Sequence, residues 1–356
     1  MLKNAILSEN EAERYSRQIR LPEIGVSGQL KLKNASVLVV GAGGLGCPVI
    51  QYLTAAGVGI LGIVDNDSVD ESNLQRQVLY SIDDISKPKP VAAKDKLARL
   101  NPEVKINVHF LRLNKGTALD IITGYDIVVD CSDNFATRYL INDACVLLDK
   151  PLIYGAVQRF SGQVTVLNYN TGPTLRCIHP VPPHPLETAS CEEEGVLGSV
   201  AGIVGTMQAT EVIKLITGAG DILSGRMFVI DTLNYSTQVV SFGRDPEHSS
   251  ITGLGDYDDQ CLSDSEPVTE VTADELRTMI SSHPGLKVID LREEDENSDI
   301  GFVCVRIPYS GISQRLHTLP ADGPLVFYCR YGVKSRNVIV YLRNHHKMEH
   351  LYNLVL

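Results

Sequence analysis

The sequence predicts a two-domain α/β protein, and three observations carry that expectation. Short β-branched runs at 37–40, 60–64, 127–130 and 152–154, of the kind buried on both faces of a parallel sheet, alternate with stretches of helical spacing. The stretch PEHSSITGLGDYDDQCLSDSEP (246–267) is polar, acidic and turn-rich without an apolar period, which places a linker between a domain at 1–245 and a second at 268–356. Beyond it, helix (272–282), strand (287–290), strand (325–328) and helix (333–344) describe a small α/β unit of about 90 residues, within the usual domain range. A chain of 356 residues, 44% of them hydrophobic, is long enough to bury two cores.

Along the first domain, VLVVGAGGLGCPVI is a strand followed by Gly41-x-Gly43-x-x-Gly46 and a helix with Pro48 in its first turn. Glycines there allow a tight turn and close approach of backbone N–H groups to phosphate, and the helix N-terminus adds partial positive charge. Asp65, at the end of the next strand in GIVDND, is placed to accept from ribose hydroxyls. The pair reads as Rossmann-like nucleotide binding, a reading an NAD-dependent oxidoreductase would share. Asp67, Asn73, Arg76, Gln77 and Lys89 follow soon after. Their cations exceed what a pyrophosphate asks for and suit a triphosphate, which disfavours the NAD reading. A later core helix is legible from Val200, Ile203, Val204, Met207, Val212, Ile213 and Ile216, with Gly218 where a C-cap belongs.

Composition narrows the classes further. A net charge of −11 argues against broad nucleic-acid binding, which needs a basic face. No stretch reaches the roughly 18 uninterrupted apolar residues of a membrane span, and the first residues lack the pattern of a secretory signal, so a cytoplasmic protein without a membrane partner is expected. Eight cysteines are scattered without a C-x-x-C pair, which fits neither a disulfide framework nor a zinc ribbon. Most are expected to be buried small hydrophobes.

Six blocks in order, RYSRQIRL, GAGGLGCPV, DNDSVDESNLQRQ, SKPKP, DCSDNFATRYLIND and SCEEEGVLGSVAG, resemble the MoeB/ThiF family of ubiquitin-activating-type adenylyltransferases over about the first 245 residues. That resemblance implies ATP-dependent adenylation of the C-terminal carboxylate of a ubiquitin-like sulfur-carrier protein ending in Gly-Gly, of the MoaD/ThiS type. It puts Gly41 and Gly43 at the phosphates, Asp65 at the ribose, and Asn73, Arg76 and Lys89 at the triphosphate, with Asp67 and Gln77 in the same nucleotide site. Asp133, in CSDN, would hold Mg²⁺. Arg17 matches an arginine that reaches across a two-fold interface into the neighbouring site, which implies a homodimer.

The sequence departs from that family at two places. Where relatives hold structural zinc with two C-x-x-C pairs, this chain reads Thr174-Leu-Arg-Cys177 and Glu247-His248-Ser249-Ser250, so no zinc site is expected and the loop after Gly172 must be held otherwise. Cys191 matches a cysteine that is covalently used in some members and dispensable in others. Three glutamates follow it, whose like charge opposes a thiolate, and its role stays open.

The second domain centres on VFYCRYGVKSRNVI. A strand, then Cys329 on a turn with Gly332, then a helix, is similar to the active loop of rhodanese-type sulfurtransferases. There, backbone N–H groups and a helix N-terminus converge on the sulfur, and Arg330, Lys334 and Arg336 add positive field. Asp290 and Arg292 in VIDLREED resemble that family's Asp-x-Arg strand end. Relatives continue into a further helix where LYNLVL stands last, so a shortened domain of lower stability is expected. Cysteine phosphatases place an arginine six positions after the cysteine to grip phosphate. Here that position is Ser335, which argues against phosphatase chemistry.

Taken together, the expectation is an adenylyltransferase fused to a sulfurtransferase. A Cys329 persulfide, loaded by thiosulfate or a donor such as a cysteine desulfurase, would convert the adenylated carrier to a thiocarboxylate. An NAD-dependent oxidoreductase and a non-catalytic carrier-docking scaffold are the alternatives.

Overall fold

A computed structural model describes residues 6–182, 186, 195–255, 257, 267–294, 296, 299–320 and 323–356. The chain divides into two compact units, one of residues 1–182 and 194–257, the other of 183–193 and 258–356.

The first unit is built on an eight-stranded sheet of order β3-β2-β1-β4-β5-β6-β7-β8. Strands β1 (Ser36–Val40), β2 (Ile60–Val64), β3 (Lys105–His109), β4 (Ile127–Asp130) and β5 (Leu152–Gln158) are parallel. All five residues of β1 and all four of β4 are buried, which is why they read as unbroken apolar runs rather than alternating ones. Strands β6 (Ser161–Leu167), β7 (Arg226–Asp231) and β8 (Ser236–Ser241) extend the sheet antiparallel.

Three short N-terminal helices, α1 (Glu9–Arg14), α2 (Ser16–Ile19) and α3 (Gly25–Asn34), precede the sheet. Helix α4 (Gly46–Ala56) follows β1 and ends at Gly57 in the left-handed region, φ 82°. Helices α5 (Lys89–Leu100), α6 (Ala118–Thr123) and α7 (Phe135–Leu147) complete the crossovers. Helix α8 (Gly198–Thr217) ends at Gly218 with φ 81°, as its sequence predicts. By length and composition α8 is apolar enough to cross a membrane. It is instead a core helix, lying against α4, β5, β6 and α3 with Val200, Val204 and Val212 fully buried.

The acidic stretch read as a linker stays with the first unit as far as Tyr257, whose hydroxyl donates to Asp143 on α7. Arg176 grips the same carboxylate through Nε at 2.9 Å and Nη2 at 2.7 Å, and lies 4.9 Å from the Tyr139 ring centroid. Cys177 Sγ accepts the N–H groups of Thr174 and Asp245, each at 3.3 Å. These contacts hold the loop after Gly172. Among the described residues no three His, Cys, Asp or Glu side chains are grouped to hold a metal.

The second unit has a five-stranded parallel sheet, β11-β10-β12-β13-β9, from β9 (Thr269–Thr272), β10 (Lys287–Asp290), β11 (Val305–Arg306), β12 (Leu325–Tyr328) and β13 (Leu351–Val355). Helix α9 (Ala273–Ser282) begins at a capping box formed by Thr272 and Glu275. A single turn, α10 (Ile312–Arg315), and α11 (Val333–His346) follow. Neither β9 nor β13, whose apolar run is broken by Asn353, is assigned from the sequence, yet β13 is interior to the sheet and pairs with both β12 and β9.

Candidate functional site

In the first unit the sheet reverses its order between β1 and β4, the position at which open α/β sheets bind ligands beyond the carboxyl ends of their strands. Register sets the groups there: Val40 pairs with Val64 on one side and Asp130 on the other, so the turn at Gly41 lies between Asp65 and Asp130. Gly41 has φ 95°, and a Cβ on it would stand 2.6 Å from the Cys131 carbonyl oxygen. At Gly46 a Cβ would come within 2.0 Å of the Gly41 carbonyl oxygen. Gly46→Ala is therefore expected to destabilise the first unit by about 3 kcal/mol, through a backbone clash no rotamer relieves, measurable as a fall in its denaturant midpoint.

Gly43 differs from these two. A Cβ there would meet only Gln77 Nε2, at 3.6 Å, so the backbone faces open space. Among the described residues the N–H groups of Gly43 and Gly44 have no protein acceptor. Gln77 is 3% exposed and its Oε1 has no hydrogen-bond partner. Unsatisfied donors and a buried unsatisfied amide oxygen at one turn fit a polar ligand laid across the loop.

Asp65 accepts from the Ala42 N–H at 2.7 Å through Oδ2 and from the Asp67 N–H at 2.8 Å through Oδ1. Burial raises its carboxyl above the ordinary range, against the pull of Lys89 and these N–H groups. Lys89, at the first position of α5, is 5% exposed and its Nζ reaches Asp67 Oδ2 at 2.9 Å. Arg76 is half-buried, with Nη1 on the Ser72 carbonyl at 3.2 Å. The start of α8 presses on its backbone, since a Cβ on Gly198 would lie 2.3 Å from the Gln75 carbonyl oxygen. Asn73 lies one turn before Gln77, which donates its N–H to the Asn73 carbonyl.

The structure thus brings Gly41, Gly43, Asp65, Asp67, Asn73, Arg76, Gln77 and Lys89 around one turn. Asp133 stands exposed in the loop after β4, its Oδ1 accepting from Asn134 Nδ2 at 3.4 Å. Arg17 is exposed on α2, in the N-terminal helices that precede the sheet. Cys191 lies outside the described residues.

Sequence reasoning missed Asp130. It is fully buried at the end of β4, its Oδ1 takes the N–H and hydroxyl of Ser132 at 2.9 and 2.6 Å, and Oδ2 has no partner. Burial raises its carboxyl, opposed first by Arg138, which also donates to Tyr154 at 2.7 Å and to the Ser132 carbonyl at 3.1 Å. This network fixes the loop that carries Asp133. The signal was present in DCSDN, but the second aspartate drew the reading. The cysteines beneath the turn are inert: burial pushes the Cys47 thiol up to about 12 and Cys131 well above its ordinary value.

In the second unit Cys329 follows β12 and is 5% exposed. Its Sγ lies 3.2 Å from Ser335 Oγ and accepts the Ser335 N–H at 3.4 Å, at the start of α11. Two of the flanking cations have other neighbours. Lys334 Nζ stands 3.5 Å from Glu293 and 5.2 Å from the Tyr309 ring, and Arg330 lies over Tyr331 at 5.5 Å. The expected field of free cations around the sulfur is thus partly quenched by Glu293. Asp290 and Arg292 form a buried two-point pair, Nε to Oδ1 at 2.9 Å and Nη2 to Oδ2 at 2.7 Å. Burial alone would raise Asp290; the guanidinium holds it below the usual carboxylate range.

Residues 15–250 match the ThiF family. The chain is 42% identical over 346 residues to "Probable adenylyltransferase/sulfurtransferase MoeZ" of Mycobacterium tuberculosis, covering 94% of this chain and 88% of that protein. It is 40% identical over 368 residues to "Adenylyltransferase and sulfurtransferase MOCS3" of Drosophila grimshawi, covering 95% and 81%. Among solved structures, E. coli MccB with ATP aligns with a TM-score of 0.59 at 25% identity, over 69% of this chain and 75% of that one. The chain belongs to the ThiF family, and within it to the enzymes that join an adenylyltransferase to a sulfurtransferase domain.

Proposed function

We propose that the first unit binds ATP across the Gly41–Gly46 turn and adenylates the terminal carboxylate of a ubiquitin-like sulfur carrier ending in Gly-Gly, and that Cys329 then supplies the sulfur. The observation that carries the nucleotide reading is the set of unsatisfied groups at one turn: the Gly43 and Gly44 N–H groups and the buried Gln77 Oε1, beside the cations Arg76 and Lys89. Asp65 would hold the ribose, with Asn73 and Asp67 beside it. Mg²⁺ fits a site of one exposed carboxylate, Asp133, because that ion keeps waters and takes its remaining ligands from phosphate oxygens. When bound it would offset charge on the triphosphate.

The carrier carboxylate attacks the α-phosphorus of ATP, the bond to pyrophosphate breaks, and an acyl-adenylate forms. Arg76 and Lys89 stabilise the leaving charge. A Cys329 persulfide, loaded from thiosulfate or a desulfurase, attacks the acyl carbon through its terminal sulfur, and AMP leaves with the bonding pair. A second thiol, for which Cys191 is the proposed group, attacks Sγ and forms a disulfide with Cys329, releasing the thiocarboxylate.

The test is exchange of labelled pyrophosphate into ATP, dependent on the carrier. Asp133→Ala should abolish it without lowering the melting temperature, and exchange near the wild-type rate would remove the metal assignment. Arg17 is proposed to complete the site of a second subunit in a homodimer. Mixing inactive Arg17→Ala and Asp133→Ala chains should then restore part of the activity, because one site of each mixed dimer is intact. No recovery after demonstrated subunit exchange would count against a shared site.

A further inference from the structure

Several of the charged side chains on the loops around Cys329 have partners of their own. Asp290 and Arg292 at the end of β10 are paired with each other, with Arg292 over the Tyr328 ring. Lys334 on α11 faces Glu293 and Tyr309, and Arg330 lies over Tyr331. Arg336 is half-buried one residue past Ser335 on α11. Among the described residues the hydrogen-bond partners of Cys329 Sγ both belong to Ser335, its N–H and its hydroxyl.

Ser335 is fully buried, and its one hydroxyl proton faces three acceptors: Asn353 Oδ1 at 2.6 Å, the Gly332 carbonyl at 3.1 Å and Cys329 Sγ at 3.2 Å. Asn353 is 3% exposed on β13, where it pairs with Phe327 of β12, two residues before the cysteine. Its Nδ2 also donates to the Gly332 carbonyl at 3.4 Å. Gly332, with φ 74°, leaves only 3.3 Å between a notional Cβ and that Nδ2, so the amide is fitted against the turn.

We propose that Ser335 is a positioning residue for sulfur transfer, whose hydroxyl is held by Asn353 while Cys329 is a neutral thiol and turns to donate to the sulfur when it becomes an anion. This rests on the reading of Cys329 as the sulfur-carrying group. With the thiol neutral, S–H donates to Ser335 Oγ and Ser335 donates to Asn353, the shortest of its contacts. Once the proton has left to solvent, Sγ is an acceptor only, and the Ser335 N–H and O–H both point at it. The anion attacks the sulfane sulfur of thiosulfate, the S–S bond breaks, and sulfite leaves with the bonding pair, so charge and electrons balance.

The experiment follows two rates in the full-length protein at one neutral pH: alkylation of Cys329 by iodoacetamide, read by peptide mass spectrometry, and sulfur loading from thiosulfate. Ser335→Ala should slow both about tenfold, with loading falling in kcat rather than KM. Ser335→Thr should restore both. Asn353→Leu, which releases the hydroxyl proton, should speed alkylation about threefold. If it does not fold, the two Ser335 variants decide. Unchanged rates in Ser335→Ala, failure of Ser335→Thr to restore them, or slower alkylation in folded Asn353→Leu would each overturn the proposal. Normal loading in Cys329→Ser would overturn the underlying reading instead, while the alkylation rates still report on the hydrogen bond.

Discussion

Cys329→Ser is expected to abolish thiocarboxylate formation while carrier-dependent pyrophosphate exchange proceeds at the wild-type rate. The two chemistries are carried by groups on separate sheets. In the proposed function, adenylation would use the turn after β1 and the residues from Asp65 to Lys89, whereas Cys329 follows β12 in the other compact unit. A serine hydroxyl preserves the size of the side chain and can still exchange hydrogen bonds with Ser335, so the buried turn should remain folded. It cannot hold a transferable sulfane sulfur. The carrier gains about 16 Da when one oxygen is replaced by sulfur in such a transfer, so intact-mass spectrometry reads the outcome directly. Thiocarboxylate at the normal rate from Cys329→Ser with the same donor would remove Cys329 from the reaction and leave the second unit as a docking module.

How much was legible in the sequence follows from how local each signal is. Strands β2, β4, β10 and β12 coincide with the runs read from sequence because each is a short stretch buried on both faces. Helix α8 was equally plain, with a long apolar pattern and a left-handed glycine at its end. Strand β13 was not, since its buried positions include Asn353, whose side chain bonds Ser335 and Gly332, 18 and 21 residues away in sequence. Strand β8 failed for the opposite reason: all six residues are exposed, so no burial pattern marks it. At the nucleotide turn, the glycine spacing and Asp65 were readable because they lie within one strand–turn–helix–strand unit. The partner of Lys89 was not, because Asp67 meets it only after the chain folds back 22 residues. The same holds for Glu293, which stands 3.5 Å from Lys334, far along the chain, and so partly offsets the field that the loop sequence alone implies.

Lys89→Ala should lower carrier-dependent pyrophosphate exchange by about 10³-fold, with little change in folding stability. The two effects separate because of where the partners lie. Lys89 Nζ sits on a side chain only 6% exposed, so its charge would act on a bound phosphate with little screening by water. Asp67, its partner at 2.9 Å, has a side chain 59% exposed, and losing the lysine leaves a carboxylate that water can solvate. The ion pair itself therefore contributes about 1 kcal/mol or less to folding. The backbone role of Lys89 survives the substitution, since its N–H still donates to the Asp67 carbonyl and its carbonyl still accepts from Tyr80. Alanine is also well suited to the first turn of α5. Lys89→Arg should recover only a small part of the rate, because a planar fork replaces a compact ammonium in a site closed around the shorter head. Asp67→Asn offers the control in the other direction. It releases Lys89 from its partner while keeping the cation, so exchange should fall far less than in Lys89→Ala. Exchange within tenfold of wild type in a folded Lys89→Ala protein would show that the buried lysine serves α5 rather than the triphosphate, and the anion-stabilising role would then pass to Arg76 and the proposed metal.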